Sequence, residues 1–167
     1  IGRIKGYRNF CNKIWNAFRF IEMQAVNHNY QSSEASSNVI SDWMALKIQH
    51  ASDNCQAHIK TYRFDLAATE IYELVWSNFC DWYIELNKVA IQKSEDKDET
   101  INLISNLISN FDSILRLLHP FMPFITEELS AKLAILEGKE KSEFLVESGF
   151  MQHRHINNKS AEYIDEI

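Results

Sequence analysis

Glycine and proline are scarce in this chain, at 4 and 2 of 167 residues. Sandwiches and barrels need many turns, and turns draw on those two residues. An all-β fold is therefore excluded, and an α/β fold built on Gly-rich phosphate loops is disfavoured. The three cysteines, Cys11, Cys55 and Cys80, lie at long, unequal gaps with no CxxC pair. Neither a zinc knuckle nor a redox motif can be made from them, so they read as reduced thiols packed as small apolar groups in a reducing compartment. Long hydrophobic runs are missing too. The longest uncharged stretch, residues 100–111, is too short and too polar to span a bilayer, and no signal peptide opens the chain. No GxSxG, P-loop, GxGxxG or HExxH motif occurs, nor any Glu-x-x-His pair of the di-iron bundle type. No catalytic residue is assigned.

What is present suits one globular domain: 46% hydrophobic and 24% charged residues in a length within the usual 100–200. A chain this long buries roughly 70% of its unfolded surface and needs no metal or disulfide to hold a core. Net charge is −6, against a general nucleic-acid binder. The distribution is uneven, however. Residues 1–20 hold Arg3, Lys5, Arg8, Lys13 and Arg19 and no acid, whereas the remainder holds 12 basic and 23 acidic residues. The chain opens on Ile1 rather than Met and ends inside a helical pattern over residues 161–167, which suggests a piece of a longer protein.

Hydrophobic periodicity predicts helices. Ile4, Tyr7, Cys11, Ile14, Phe18 and Ile21 form the seam of a first helix from about Arg3 to Ala25. Residues 27–38, with four serines and three asparagines, read as a surface loop, since such side chains compete for the backbone. A second helix starts near Asn38 or Ser41 and turns Ile40, Met44, Ile48, Ala51, Cys55 and Ile59 inward. The third, about Phe64 to Ala90, carries Phe64, Ala68, Ile71, Val75, Phe79, Trp82 and Leu86 on one side. Leu74, Trp76, Cys80 and Ile84 add apolar surface around it, the mark of a central helix. After a charged connector over 93–99, a fourth helix shows Ile101, Ile104, Ile108, Phe111, Leu115 and Leu118. Pro120 stops it. A short fifth helix starts at Pro123, turns Leu129, Leu133 and Leu136 inward, and ends at Gly138. The expected fold is an all-α antiparallel bundle of four long helices plus a short fifth over residues 1–136. Residues 137–167 form an irregular tail, holding at most a short hairpin, that leads into the next helix of the parent protein.

Two histidine features have bland readings. His153-Arg154-His155 could touch a metal but lacks further ligands nearby in sequence, so no metal site is assigned. His119 sits at a helix end, where capping the last carbonyls is a sufficient role.

On a helical wheel of about 100° per residue, the polar sector of the first helix holds Arg8, Arg19, Asn12, Lys5, Asn16, Asn9, Phe20 and Lys13. Phe20 is the anomaly there. It either packs against a neighbouring element such as the 139–160 tail, or forms a platform on which an unpaired base stacks, beside amides that read base edges and cations that hold phosphate. The same features would suit a helical adaptor that enters a protein groove. The residues alone leave these readings open.

Three blocks resemble a known family. Arg8-Asn9-Phe10-Cys11-Asn12-Lys13-Ile14-Trp15-Asn16-Ala17 followed by Arg19-Phe20 is similar to the start of the anticodon-binding domain of valyl-tRNA synthetases. Tyr62-Arg63-Phe64-Asp65 with Phe79-Cys80-Asp81-Trp82-Tyr83-Ile84-Glu85-Leu86 resembles its third-helix signature, and residues 117–129 (LLHPFMPFITEEL) its later motif. The blocks fall in the family's order and spacing and span about residues 2–130. Isoleucyl and leucyl enzymes share the bundle, but Phe-Cys-Asp-Trp-Tyr leans to the valyl branch. Ser130 stands where the family commonly has Trp, and residues 27–38 and 137–160 match nothing in it. The HxGH and KMSKS signatures of the ATP site are absent, so the chain resembles the region C-terminal to KMSKS in a class I synthetase.

The resemblance implies recognition of valine tRNA through its anticodon loop by a domain not itself catalytic and without a cofactor, in a cytoplasmic, monomeric ligase. The parent would use ATP, and its catalytic and editing domains, on the same chain, would be this domain's partners. By match of position it assigns stacking to Phe20, phosphate or base contacts to Lys13 and Arg19, and further contacts to Asn9, Asn16 and Arg8. It leaves Trp82, Tyr83 and Pro120 as packing residues.

Overall fold

The computed structural model describes residues 2–139 and 144–147, with side chains from residue 6 onward. Among these residues there are helices and no strand. Helix α1 spans Gly2–Asn27 and α2 spans Val39–Lys60. Helix α3 runs unbroken through residues 64–93 in three stretches: Phe64–Glu73 α-helical, Leu74–Tyr83 π-helical and Ile84–Lys93 α-helical. Helix α4 spans Lys97–Leu118 and α5 spans Pro123–Leu136. The all-α bundle of four long helices and a short fifth is the observed fold.

The helix ends are set by local chemistry. The Asn38 side chain accepts from the Ser41 amide at 2.8 Å, capping α2, and Asp42 stands in the first turn, where the helix dipole favours an anion. Asp96 caps α4 by accepting from the Asp98 amide. The charged connector expected over 93–99 therefore shrinks to residues 94–96, because Asp98 and Glu99 serve the first turn of the helix. Asn29, at φ 49°, adopts the left-handed conformation that asparagine tolerates, and Gly138, at φ 67°, does the same after α5. His119 departs from the capping role. Its Nδ1 lies 2.8 Å from the Thr126 hydroxyl, a hydrogen bond that ties the end of α4 to α5.

The most enclosed element is α4, not α3: thirteen of its 22 residues are buried. Phe111 on α4 stacks against Phe18 of α1 at 6.2 Å and Phe79 of α3 at 5.5 Å, joining three helices in one aromatic centre. A polar stripe runs beside it on the same helix. Asn110 donates to the Tyr83 hydroxyl and to Ser41, Ser41 donates to Asn106, and Asn106 donates to the Ser36 carbonyl. Ser33 and Ser105 pair at 2.8 Å. The 28–38 loop is thus laid along α4 and fastened to it, rather than standing free on the surface. Among the described residues no buried side-chain nitrogen or oxygen lacks a partner.

The expected stripes need two corrections. Tyr7, placed in the α1 seam, is 68% exposed, and the buried residue at that level is Phe10. On α3, Phe64, Ala68 and Trp82 face outward, with Trp82 62% exposed, so Trp82 is not a packing residue of this domain. The buried line is instead Ala67, Ile71, Val75, Phe79, Tyr83, Asn87 and Ile91, a strict step of four. In an α-helix each such step overshoots by about 40°, or roughly 240° over the whole line. The π-helical stretch, with i→i+5 bonds and wider turns, takes up much of that drift and keeps the line on the core.

The tail beyond Lys139, including the His153-Arg154-His155 triplet and any hairpin within 139–160, lies largely outside the described residues. Leu145, which is described, is buried, and its amide donates to Glu127 of α5 at 3.1 Å.

Candidate nucleic-acid interface

The polar sector of α1 meets α3 along an open groove of about 510 Å³. Asn9, Asn12, Lys13, Asn16 and Phe20 line its α1 wall at steps of three and four residues, as one helical face requires. The α3 wall is Trp76, Cys80, Asp81, Ile84, Glu85 and Lys88. The π-helical stretch supplies the first three of these, so the same irregularity that holds the core line also sets this wall.

The structure brings four of the six expected contact residues together. Asn9, Lys13, Asn16 and Phe20 share the groove. Arg8 and Arg19 are exposed outside it, and neither forms an ion pair with a described residue. Arg19 borders a second hollow with Phe20, Met23 and Val26, so the Phe20 ring stands between that hollow and the groove.

Phe20 is half-buried, packed at the edge of the core, with Lys88 Nζ 5.4 Å from its ring centroid. It has both an inner contact and a face on the groove. Lys13 is engaged: it is ion-paired with Asp81 and lies 4.4 Å from the Trp76 ring centroid. Trp76 ends a stack of rings that continues through Tyr72 at 5.5 Å to Phe10 at a further 5.0 Å. Lys88 is paired with Glu85 at 2.6 Å. The groove therefore carries two lysines and two carboxylates, each lysine beside its own acid, and three asparagine amides that both donate and accept. Burial pushes the Cys80 thiol up to about 12, despite the opposing pull of the Lys13 charge, so it stays neutral beside these groups.

Sequence reasoning does not single out Asn12, Trp76, Asp81, Glu85 or Lys88 as site residues. Asn12 stands on the right sector of the wheel. The others belong to a helix 50 or more residues away, and no local pattern connects them to α1.

A surface of amides, paired charges and a half-exposed ring suits unstacked bases better than a bare phosphate backbone. Comparison with known proteins gives the family. Residues 41–167 match the family model described as the anticodon-binding domain of tRNA ligase. The chain belongs to this family of anticodon-binding domains. Within it, the chain is 40% identical over 149 residues to a valine–tRNA ligase of Coxiella burnetii, covering 88% of this chain and 16% of the relative. It is 40% identical to one of Xanthomonas euvesicatoria pv. vesicatoria over 80% of the chain and 14% of the relative. A valine–tRNA ligase of Buchnera aphidicola aligns over 93% of the chain at 32% identity, which takes in most of α1. The chain spans only 14–16% of the length of these relatives. These relatives are all named valine–tRNA ligases.

Among the described residues no helix is long and apolar enough to cross a membrane, and no group of three His, Cys, Asp or Glu side chains could hold a metal ion.

Proposed function

We propose that the α1–α3 groove binds the anticodon loop of valine tRNA, as part of a longer cytoplasmic, monomeric ligase that joins valine to that tRNA with ATP. The catalytic and editing domains of that longer chain are the domain's covalent partners. Phe20 stacks on a loop base; Lys13 and Arg19 meet phosphate or base, and Asn9, Asn16 and Arg8 add contacts to base edges and backbone. One observation carries this reading: Asn9, Lys13, Asn16 and Phe20 converge on a single groove, with the Phe20 ring between two hollows.

Because Phe20 also packs inward, its truncation to alanine would mix lost stacking with lost packing. Phe20→Leu separates them, since leucine fills much of the inner contact but offers no π-face. Its affinity for the anticodon stem-loop of valine tRNA should fall by about 1–3 kcal/mol, the usual range for base–aromatic stacking, with melting little changed. Titration beside thermal melting reads both. Unchanged stem-loop affinity in Phe20→Leu would remove Phe20 from the site.

A further inference from the structure

We propose that one end of the bundle, where the starts of α1 and α3 meet the α4–α5 junction, is a docking face for the rest of the longer ligase chain, with Tyr62, Phe64 and Phe124 as its anchors. The proposal rests on the reading of this chain as one domain of such a ligase. An apolar hollow of about 520 Å³ opens at that end, lined by Tyr7, Phe10 and Tyr72 with Leu118, Phe121 and Met122. No described lining residue carries a charge, so the hollow suits an apolar protein segment and offers no cation to a phosphate backbone. Beside it stand rings that the domain leaves bare. Phe124 is 90% exposed and Tyr62 82%, and Phe64, one turn before Ala68 of the hollow, is more than half exposed. Tyr62 is held at φ 59°, the left-handed conformation that suits glycine and is costly for an aromatic residue. The turn around it is fixed: the Arg63 amide donates to the His58 carbonyl at 2.9 Å, and the Arg63 side chain clamps Asp65. The Tyr62 ring stands edge-on to Phe64 at 6.5 Å between centroids and is otherwise mostly open to solvent. A strained residue whose side chain is bare within the domain points to a contact outside it.

The path of the chain identifies the occupant. Gly6 and Tyr7, in the first turns of α1, border the hollow, so a polypeptide leading into α1 arrives at this face. Beyond α5, the Leu145 amide reaches Glu127, about one turn from Phe124, so the chain has come back along α5 toward the same face. The chain spans only 14–16% of the length of its relatives. The rest of so long a polypeptide, whether it precedes or follows, is tethered beside the hollow. A tethered partner acts at an effective concentration of about a millimolar, which a free second copy reaches only in concentrated solution.

The test is hydroxyl-radical labelling, read by mass spectrometry, of this 167-residue chain and of the full-length ligase that contains it. Tyr62, Phe64 and Phe124 should react freely in the first and about fivefold more slowly in the second, where the docked partner excludes water. Tyr62→Gly relieves the turn as it removes the ring, and Phe124 is almost fully exposed, so the 167-residue chain carrying Tyr62→Gly and Phe124→Ser should melt no lower than the wild type. In the full-length ligase the same pair of changes should return Phe64 and Tyr7 to the reactivity they show in the shorter chain. Equal labelling of the two wild-type proteins, or protection that survives the double variant, would overturn the proposal. So would protection that appears in the shorter chain alone and rises with its concentration, which would give the face to a second copy, or protection that appears only when tRNA is added, which would give it to RNA. A full-length ligase whose rings are protected but which fails to bind the anticodon stem-loop of valine tRNA would remove the reading of the groove and leave the docking face standing.

Discussion

Single residues carry charge states set by their neighbours. Arg63 donates to both carboxylate oxygens of Asp65, at 3.0 and 2.9 Å, and this hydrogen bonding lowers the Asp65 carboxyl from the ordinary 3.8 to about 2. A depressed carboxyl stabilises the fold above its ordinary value, and that contribution is lost as pH falls from about 4 through about 2. A carbon-13 titration should place the Asp65 midpoint near the lower figure, and Arg63→Ala should return it to the usual carboxylate range. The pair is solvent-exposed, so the acid limb of stability should barely register it. Cys80 moves the opposite way. With its thiol held near 12 by burial, it should resist iodoacetamide at pH 8 in the folded chain and react on unfolding, read by mass spectrometry over time.

At the level of elements, the polar stripe of α4 holds neighbours in ways that hydrophobic patterning does not describe. Asn110 donates to Ser41 on α2 and Tyr83 on α3, so Asn110→Ala removes two buried hydrogen bonds at once. The loss of stability by denaturant titration should be about 1–3 kcal/mol, although the residue is polar and mid-helix. Asn38→Ala removes the α2 cap, and should cost about 0.5–2 kcal/mol. Phe111→Ala should cost more, about 3–5 kcal/mol, because the ring is the meeting point of α1, α3 and α4.

For the whole molecule, charge is segregated but internally neutralised. The body is acidic and the first twenty residues are wholly basic, yet the groove lysines sit beside carboxylates. Of the cations proposed for RNA contact, three exist: Arg8, Lys13 and Arg19. With about 0.7 of a counterion released per contact on single strands, the salt slope for stem-loop binding should be no steeper than about −2. A slope well beyond that, measured from low to physiological salt, would mean that a different basic surface is in use.

The helices, their order and most of their inner stripes were legible in the sequence, because apolar residues at steps of three and four need only their own helix to be recognised. So was the polar sector of α1, including the four residues that share the groove. The step of four from Ala67 to Ile91 was also present in the letters, but its meaning depends on a wider helix than periodicity assumes. The rest depended on contacts across the chain. Whether Phe20 is buried or bare is decided by α3, whose Lys88 lies 68 residues further on. The pairing of Lys13 with Asp81 spans the same separation, and the fastening of the 28–38 loop to α4 spans more than 60. Local pattern reports which side of a helix prefers water; only the packed bundle decides which charges, rings and amides that side then meets.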